Sequence, residues 1–387
     1  MKKRIITYVK NITGTLFILL VTGLCMLLFM NGTLGYETNP LRWNLHNEGP
    51  YVFYENDSTV SVNYIQGNKK EGFSVAKKEY PINNSVEVNS HFVLDNTEFT
   101  IPLDFSFETP KAMYSDGNKI IAISDIESNY KTFRDFLLTH KVIDTNLEWI
   151  FGEGHLVLVG DFVDRGDSTT QLLWFIYSLE QQAKKQGGKV HFILGNHELK
   201  NLQGNFKSTT QKYRAVANIL EKQLFDLYSE NSFLGKWLTS KNTIEVINGY
   251  VFVHGGLHPS IAKTPYTLEE INEQVKTSYR KGYYPKKEKQ LLTSTKTGIA
   301  WYRGYFKENL SEEEVTAPIK QFKAKAVVVG HTIQNKVKEL FNGKVIAIDV
   351  KHPEDYQKSW PAKKSEGLLI ENNTCYRILS DGERVML

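Results

Sequence analysis

The sequence predicts an α/β domain preceded by a small β-rich module, both following an apolar N-terminal segment. From Lys119 onward, short apolar runs alternate with stretches of helical periodicity, the pattern of a sheet whose strands are joined through helices. Between Glu37 and about Ser115 the chain reads instead as strand after strand, separated by turn residues. At 387 residues it is long enough for one large domain with a substantial core and a smaller module beside it. We therefore divide the chain into residues 1–36, a membrane anchor or signal segment; 37–115, an accessory β-rich module; and 116–387, the main domain.

Taking the elements in order, Lys2, Lys3, Arg4 and Lys10 precede an uncharged stretch from Asn11 to Tyr36. Its apolar heart is Leu16–Met30, broken only by Thr22 and Gly23. Counted from Ile12, it is long enough to cross a hydrocarbon core as a helix. A cleaved signal peptide is the alternative, its usual mark being a shorter apolar region. The small-residue pattern near Thr33 and Gly35 suits cleavage poorly, and Leu24 before Cys25 suits a lipoprotein site badly. Both readings keep the basic flank in the cytoplasm and export the rest. We expect a membrane-anchored protein with an extracytoplasmic domain, or a secreted one if the segment is cleaved. Cys25 lies within the apolar segment and Cys375 is alone beyond it, so the exported part can form no internal disulfide. A net charge of +4 is too small to argue for nucleic acid, and no such partner is expected.

In the β-rich module, Tyr51–Glu55 and Thr59–Gln66 are strand-like around a turn at Asn56, Asp57 and Ser58. His91–Leu94 and Glu98–Phe107 continue in that style. Nothing there suggests chemistry, and we read an accessory antiparallel unit. In the main domain, strands are expected at Lys119–Ser124, His155–Gly160, Val190–Leu194, Thr243–Val253 (with a hairpin at Asn248–Gly249), Ala324–Gly330 and Lys344–Ile348. Helices are expected over Tyr130–His140 and Thr169–Gln186, the latter opened by a capping box of Ser168 and Gln171. One longer helix is expected around Gln211–Leu238, where Val216, Ile219, Leu220, Leu224, Leu227 and Tyr228 recur at helical spacing. The segment Lys276–Lys296 is basic and aromatic, with Arg280, Lys281, Tyr283, Tyr284, Lys286, Lys287 and Lys289. It reads as a solvated loop, or alternatively as a contact for an anionic substrate.

Five polar clusters stand just past apolar runs: SDIES (Ser124–Ser128), GDFVDRG (Gly160–Gly166), GNHE (Gly195–Glu198), HGG (His254–Gly256) and GHT (Gly330–Thr332). Open α/β sheets place ligand groups at the carboxyl ends of their strands. Singly, each cluster has a plain structural reading. Asp125 could cap a helix, the glycines of GDFVDRG could only permit a turn, and Asn196 and His197 could be turn residues. His254 and His331 could be satisfied core histidines. Together, Asp, Glu, Asn and His at five strand ends offer the oxygen and nitrogen donors that two divalent cations need.

This ordered series resembles that of the calcineurin-like metallophosphoesterases, in the phosphoprotein-phosphatase branch, with GDFVDRG and GNHE as its specific elements. AWYRGY (Ala300–Tyr305) looks like the bacterial Shewanella-like phosphatases of that branch. The resemblance spans roughly Lys119 to Asp349. It implies two stacked mixed β-sheets flanked by helices, and a metal-dependent phosphatase acting on phosphomonoesters of phosphoproteins or small molecules. Carried over by position, it implies that Asp125, Glu127 and Asp161 hold a first metal. Asp161 would bridge to a second, completed by Asn196, His254 and His331. The two ions would sit about 3.5–4 Å apart and turn a shared water into a hydroxide nucleophile. His197, oriented by Asp164, would protonate the leaving oxygen, while Arg165 and Arg303 would hold the phosphoryl oxygens. Trp301 and Tyr302 would line the pocket or pack the core.

The chain departs from the family at Glu127 and Ser128, where a His and a Gly are usual. A carboxylate can still ligate through oxygen, and it turns the expected ion toward manganese, with iron, zinc or magnesium as alternatives. Asp349, which closes an apolar strand, and nearby Lys351 and His352 could approach the site, with structural roles favoured for all three. Two other readings stand beside the phosphatase. One is a nucleotide or diadenosine-polyphosphate hydrolase, which shares the motifs but against which export argues. The other is a non-catalytic phospho-ligand binder, should Glu127 have emptied the first metal site.

Overall fold

The computed structural model describes residues 2–30, 32, 34–35, 39–282 and 290–387. Two six-stranded mixed sheets form its centre. The first runs, in spatial order, Lys189–Phe192, His155–Leu158, Ile120–Ile123, Glu366–Glu371, Thr374–Leu379 and Arg384–Met386. The second runs Lys338–Leu340, Val345–Ala347, Ala326–Val329, Tyr250–Val253, Ile244–Ile247 and Met113–Tyr114. Side chains alternate between the two faces of a strand, and the burial follows that alternation. Ile120, Ala122, Val157, Phe252, Val328 and Ile346 meet in one cluster between the sheets. Their neighbours Ile121, Ile123, Leu156, Val251, Val327 and Val345 join a second cluster under the helices. Where both faces are covered, as in Ile120–Ile123, Tyr250–Val253 and Ala326–Val329, the strands read as continuous apolar runs and the sequence shows them plainly. This is the α/β architecture of two stacked mixed sheets with flanking helices.

The hairpin expected at Asn248–Gly249 forms, with Ile247 opposite Tyr250 and positive φ at both turn residues (49° and 84°). Two expectations change. The long helix is broken into Gln211–Ile219, a 3-10 turn Leu224–Tyr228, and Phe233–Thr239. Glu221 turns left-handed (φ 55°), and Lys222 N–H donates to Ala217 O (2.9 Å), a helix stop normally marked by glycine. The capping box at Ser168 is absent, because the Gln171 amide donates to Glu48 Oε2 (2.9 Å). The sequence reading also omitted the exposed edge strand Gly72–Pro81 and the three C-terminal strands of the first sheet.

The β-rich segment is a three-stranded meander, Glu48–Asn56, Thr59–Asn68 and Gly72–Pro81, followed by the hairpin Glu87–Phe92 and Thr97–Pro102. It covers the helix Thr169–Lys185, which is therefore buried nearly all round. Trp174 Nε1 donates to Pro50 O (2.7 Å), and the Tyr51 hydroxyl meets Thr170 Oγ1 (2.9 Å). Beneath them Lys212, wholly buried, pairs with Glu48 (2.9 Å) and donates to Asp167 O (2.7 Å). Val60, Val88 and Phe92 of this segment belong to the same buried cluster as Phe133 and Trp174 of the main domain. At the other end, Lys2–Phe29 is one helix, and its most apolar 18-residue window has a mean hydropathy of 2.4 with none of that window buried.

Candidate active site

The loops after the central strands interlock at one end of the sheets. Asp125 N–H donates to Gly160 O (2.9 Å), Glu127 N–H to Asp161 O (3.0 Å) and Gly330 N–H to His254 O (2.9 Å). Asp125, Asp161, Asp164, Arg165 and His331 all have left-handed φ, between 54° and 70°. Such conformations cost on the order of 1–3 kcal/mol each and persist only where surroundings enforce them. Gly195 allows the closest approach, since a Cβ there would lie 2.4 Å from Asp161 Oδ1. The main brace is Glu198, fully buried. Its Oε1 accepts from the N–H groups of Phe162 (2.8 Å) and Val163 (3.2 Å), and its Oε2 from those of Asp161 (3.0 Å) and Gly195 (2.8 Å).

Asp161 Oδ1 accepts from His197 N–H (2.9 Å), and its Oδ2 lies 3.2 Å from His254 Nε2. The other nitrogen of that ring, Nδ1, is 2.7 Å from Val159 O, so it carries the hydrogen and Nε2 faces the cavity. Asn196 Oδ1 is 3.1 Å from the same Nε2. His331 Nε2 is buried and has no hydrogen-bond partner. One ligand atom each from Asp161, His254 and His331 falls within a 4.8 Å group. Burial and crowding disfavour charge on two of the carboxylates here. Burial raises Asp125 to about 6, and burial together with Asp125 raises Asp349 well above the usual range. Burial disfavours charge on the His254 ring, yet Asp161 and Asp125 raise it to about 10. Oxygen and imidazole donors converging around an orphaned nitrogen, with crowded carboxylates, fit divalent cations.

His197 stands beside this group, with Nδ1 2.7 Å from Asp164 Oδ2. Asp164 Oδ1 also accepts from Thr209 Oγ1 (2.8 Å) and Asn201 Nδ2 (3.2 Å). His197 Nε2 faces Arg165 Nη2 and Lys200 Nζ, each at 3.2 Å. Arg303 is held by His331 O (2.5 Å) and Thr332 Oγ1 (3.1 Å). Asp125, Glu127, Asp161, Asn196, His197, Arg165, Arg303 and His331 line a cavity of about 440 Å³. His254 lies behind them, reaching the group through Nε2.

Glu127 is differently engaged. Its carboxylate pairs with Arg165 and lies 3.7 Å from Lys351 Nζ. Trp301 lines the cavity, whereas Tyr302 is buried in the core. Asp349, Lys351 and His352 line the cavity as well, the less favoured of the two readings that the sequence left for them. The sequence reading did not single out Glu198 or Lys200. Both stand on the short helix Asn196–Leu202, and Lys200 follows His197 by three residues, a spacing that puts them on one face. Of the basic segment, Arg280 donates to Tyr228 O and Lys276 to Thr109 Oγ1 (2.8 Å). Its residues 283–289 lie outside the described part.

Comparison with known proteins agrees with this geometry. The family profile described as Calcineurin-like phosphoesterase matches residues 118–335. Shewanella-like protein phosphatase 2 of Arabidopsis thaliana is 24% identical over 290 residues, covering 63% of this chain and 73% of that one. Shewanella-like protein phosphatase 1 of Plasmodium berghei is 29% identical over 245 residues, covering 60% and 66%. Among solved structures, the cold-active protein-tyrosine phosphatase of a psychrophilic Shewanella species superposes with a TM-score of 0.76 at 32% identity, covering 88% of this chain and 99% of that one.

Proposed function

The chain belongs to the calcineurin-like phosphoesterase family and is a hydrolase of phosphate esters, and from that premise we propose that it cleaves phosphomonoesters with two divalent ions. Asp161, Asn196, His254 and His331 would hold one ion, and Asp125 and Glu127 would join Asp161 around the other. When bound, such ions polarise phosphoryl oxygens and make water acidic enough to attack near neutral pH. The observation that carries the reading is the convergence of Asp161, His254 and the orphaned His331 Nε2 beside the His197–Asp164 pair.

The chain's own side chains supply the rest. Asp164 keeps a proton on His197 Nδ1 and directs Nε2 into the cavity. Arg165 and Lys200 can only donate, so Nε2 accepts while they stand beside it. A phosphoryl group drawing these cations to its oxygens frees Nε2 to take up a proton from solvent and pass it to the leaving oxygen. Arg303, already fixed by His331 O and Thr332, meets the phosphoryl oxygens without reorganising. Glu127 ties the first metal site to Arg165, and its oxygen in place of an imidazole favours manganese.

For substrate, we place phosphotyrosyl side chains first. The solved relative is named a protein-tyrosine phosphatase, and here Trp301, Tyr356 and the exposed Ile333 (58%) give the cavity an apolar rim suited to an aryl group. Turnover of phosphotyrosyl and phosphoseryl peptides, nucleotides and sugar phosphates, measured with metal content per chain, tests this. Phosphotyrosyl peptides should lead. A nucleotide preference would replace the reading, and bound metal with no turnover of any ester would leave a binder. We further propose that Lys3–Phe29 stays as an anchor with the domain outside the cytoplasm. Protease added to intact cells should then digest the chain beyond the helix, and full protection would overturn this topology.

A further inference from the structure

The chain leaves its apolar helix and docks on the folded domain almost at once. Leu34 follows Phe29 by five residues and pairs with Trp360, and Gly35 pairs with Ser359. Five residues span at most about 18 Å. A second fastening follows directly. Asn39 donates to Asp167, Arg42 lies 3.9 Å from the same carboxylate, and Leu41 and Leu45 are buried. Wherever the helix ends in a bilayer, Ser359–Trp360 must therefore lie close to that bilayer's surface.

The composition there suits such a place. Trp360 is 50% exposed and Leu34 54% exposed. Lys358, Lys363 and Lys364 flank the tryptophan, and no acidic residue lies between Lys358 and Lys364. Lys364 also meets Asp381 at 2.5 Å. Tryptophan and lysine together are the residues that settle at a bilayer's polar boundary, and lysines draw anionic lipid. The same segment forms a wall of the cavity through Lys351, His352, Glu354 and Tyr356.

We propose that the segment Lys351–Lys364, with Leu34 paired along it, seats on an anionic lipid surface and holds the mouth of the cavity at the membrane. The proposal rests on the anchor reading. Phosphate esters presented close to the bilayer are then the ones the site reaches.

The test uses the full chain in vesicles containing brominated phosphatidylglycerol or brominated phosphatidylcholine, with tryptophan fluorescence as the readout. Trp149, Trp174 and Trp237 are fully buried and serve as an internal constant. In anionic vesicles, Trp360→Phe should remove the larger part of the lipid-quenchable signal. Lys358→Glu with Lys363→Glu should reduce quenching in anionic vesicles and leave it unchanged in zwitterionic ones. Equal quenching of wild type and Trp360→Phe, in a chain that resists alkaline carbonate extraction, overturns the face and leaves the anchor. Release of the wild-type chain by carbonate overturns both.

Discussion

Replacing Glu198 by Gln keeps the shape of the side chain but exchanges one accepting oxygen for an amide that can only donate. Oε1 serves the N–H groups of Phe162 and Val163, and Oε2 those of Asp161 and Gly195. Whichever oxygen is lost, two buried donors lose their acceptor. Hydrogen bonds to a charged group contribute about 1.5–3 kcal/mol each, so the local penalty is on the order of 3–6 kcal/mol. It falls on a loop already carrying Asp161, Asp164 and Arg165 in left-handed conformations. The loop should therefore open while the sheets stay folded. At about 1.4 kcal/mol per decade, amide exchange over residues 160–166 should speed up by roughly 10²- to 10⁴-fold. Protection of the strand Ile120–Ile123 should be kept, and turnover should fall with the opened loop. Exchange over residues 160–166 equal to wild type in Glu198→Gln, with activity retained, would refute the brace.

His197→Asn should slow esters with poor leaving groups by about 10²- to 10⁴-fold and p-nitrophenyl phosphate far less, because a good leaving group needs little protonation; equal losses on both would count against the acid role. Glu127→Ala should lose one metal per chain by elemental analysis and also raise KM, since Arg165 loses its partner. Two metals retained at full turnover would remove Glu127 from the ligands. Lys212→Met leaves Glu48 charged and buried, with only Tyr51 and Gln171 to satisfy it, and should cost about 3–5 kcal/mol in denaturant unfolding. Adding Glu48→Gln to that variant should restore much of the loss, and a single variant as stable as wild type would show that the pair does not couple the β-rich segment to the domain.

The residues that converge on the cavity were legible in the chain because each follows a short run of largely apolar residues at the end of a strand. Asp125, Asp161, Asn196, His254 and His331 each stand one or two positions past such a run or its end. The hairpin at Asn248–Gly249 was legible for a local reason, since its turn needs residues that tolerate positive φ. The break after Ile219 was not, because Glu221 takes the place where a glycine would have signalled the stop. Nor was the engagement of Gln171 by Glu48, a pairing across 123 residues that overrides a favourable local cap. Local pattern follows from backbone sterics and periodicity, which a sequence carries in short windows. Which carboxylate braces a loop, as Glu198 does, and which meets a guanidinium, as Glu127 does, depends on groups brought together only when the sheets stack. Their electrostatic and hydrogen-bond energies therefore exist only in the folded chain.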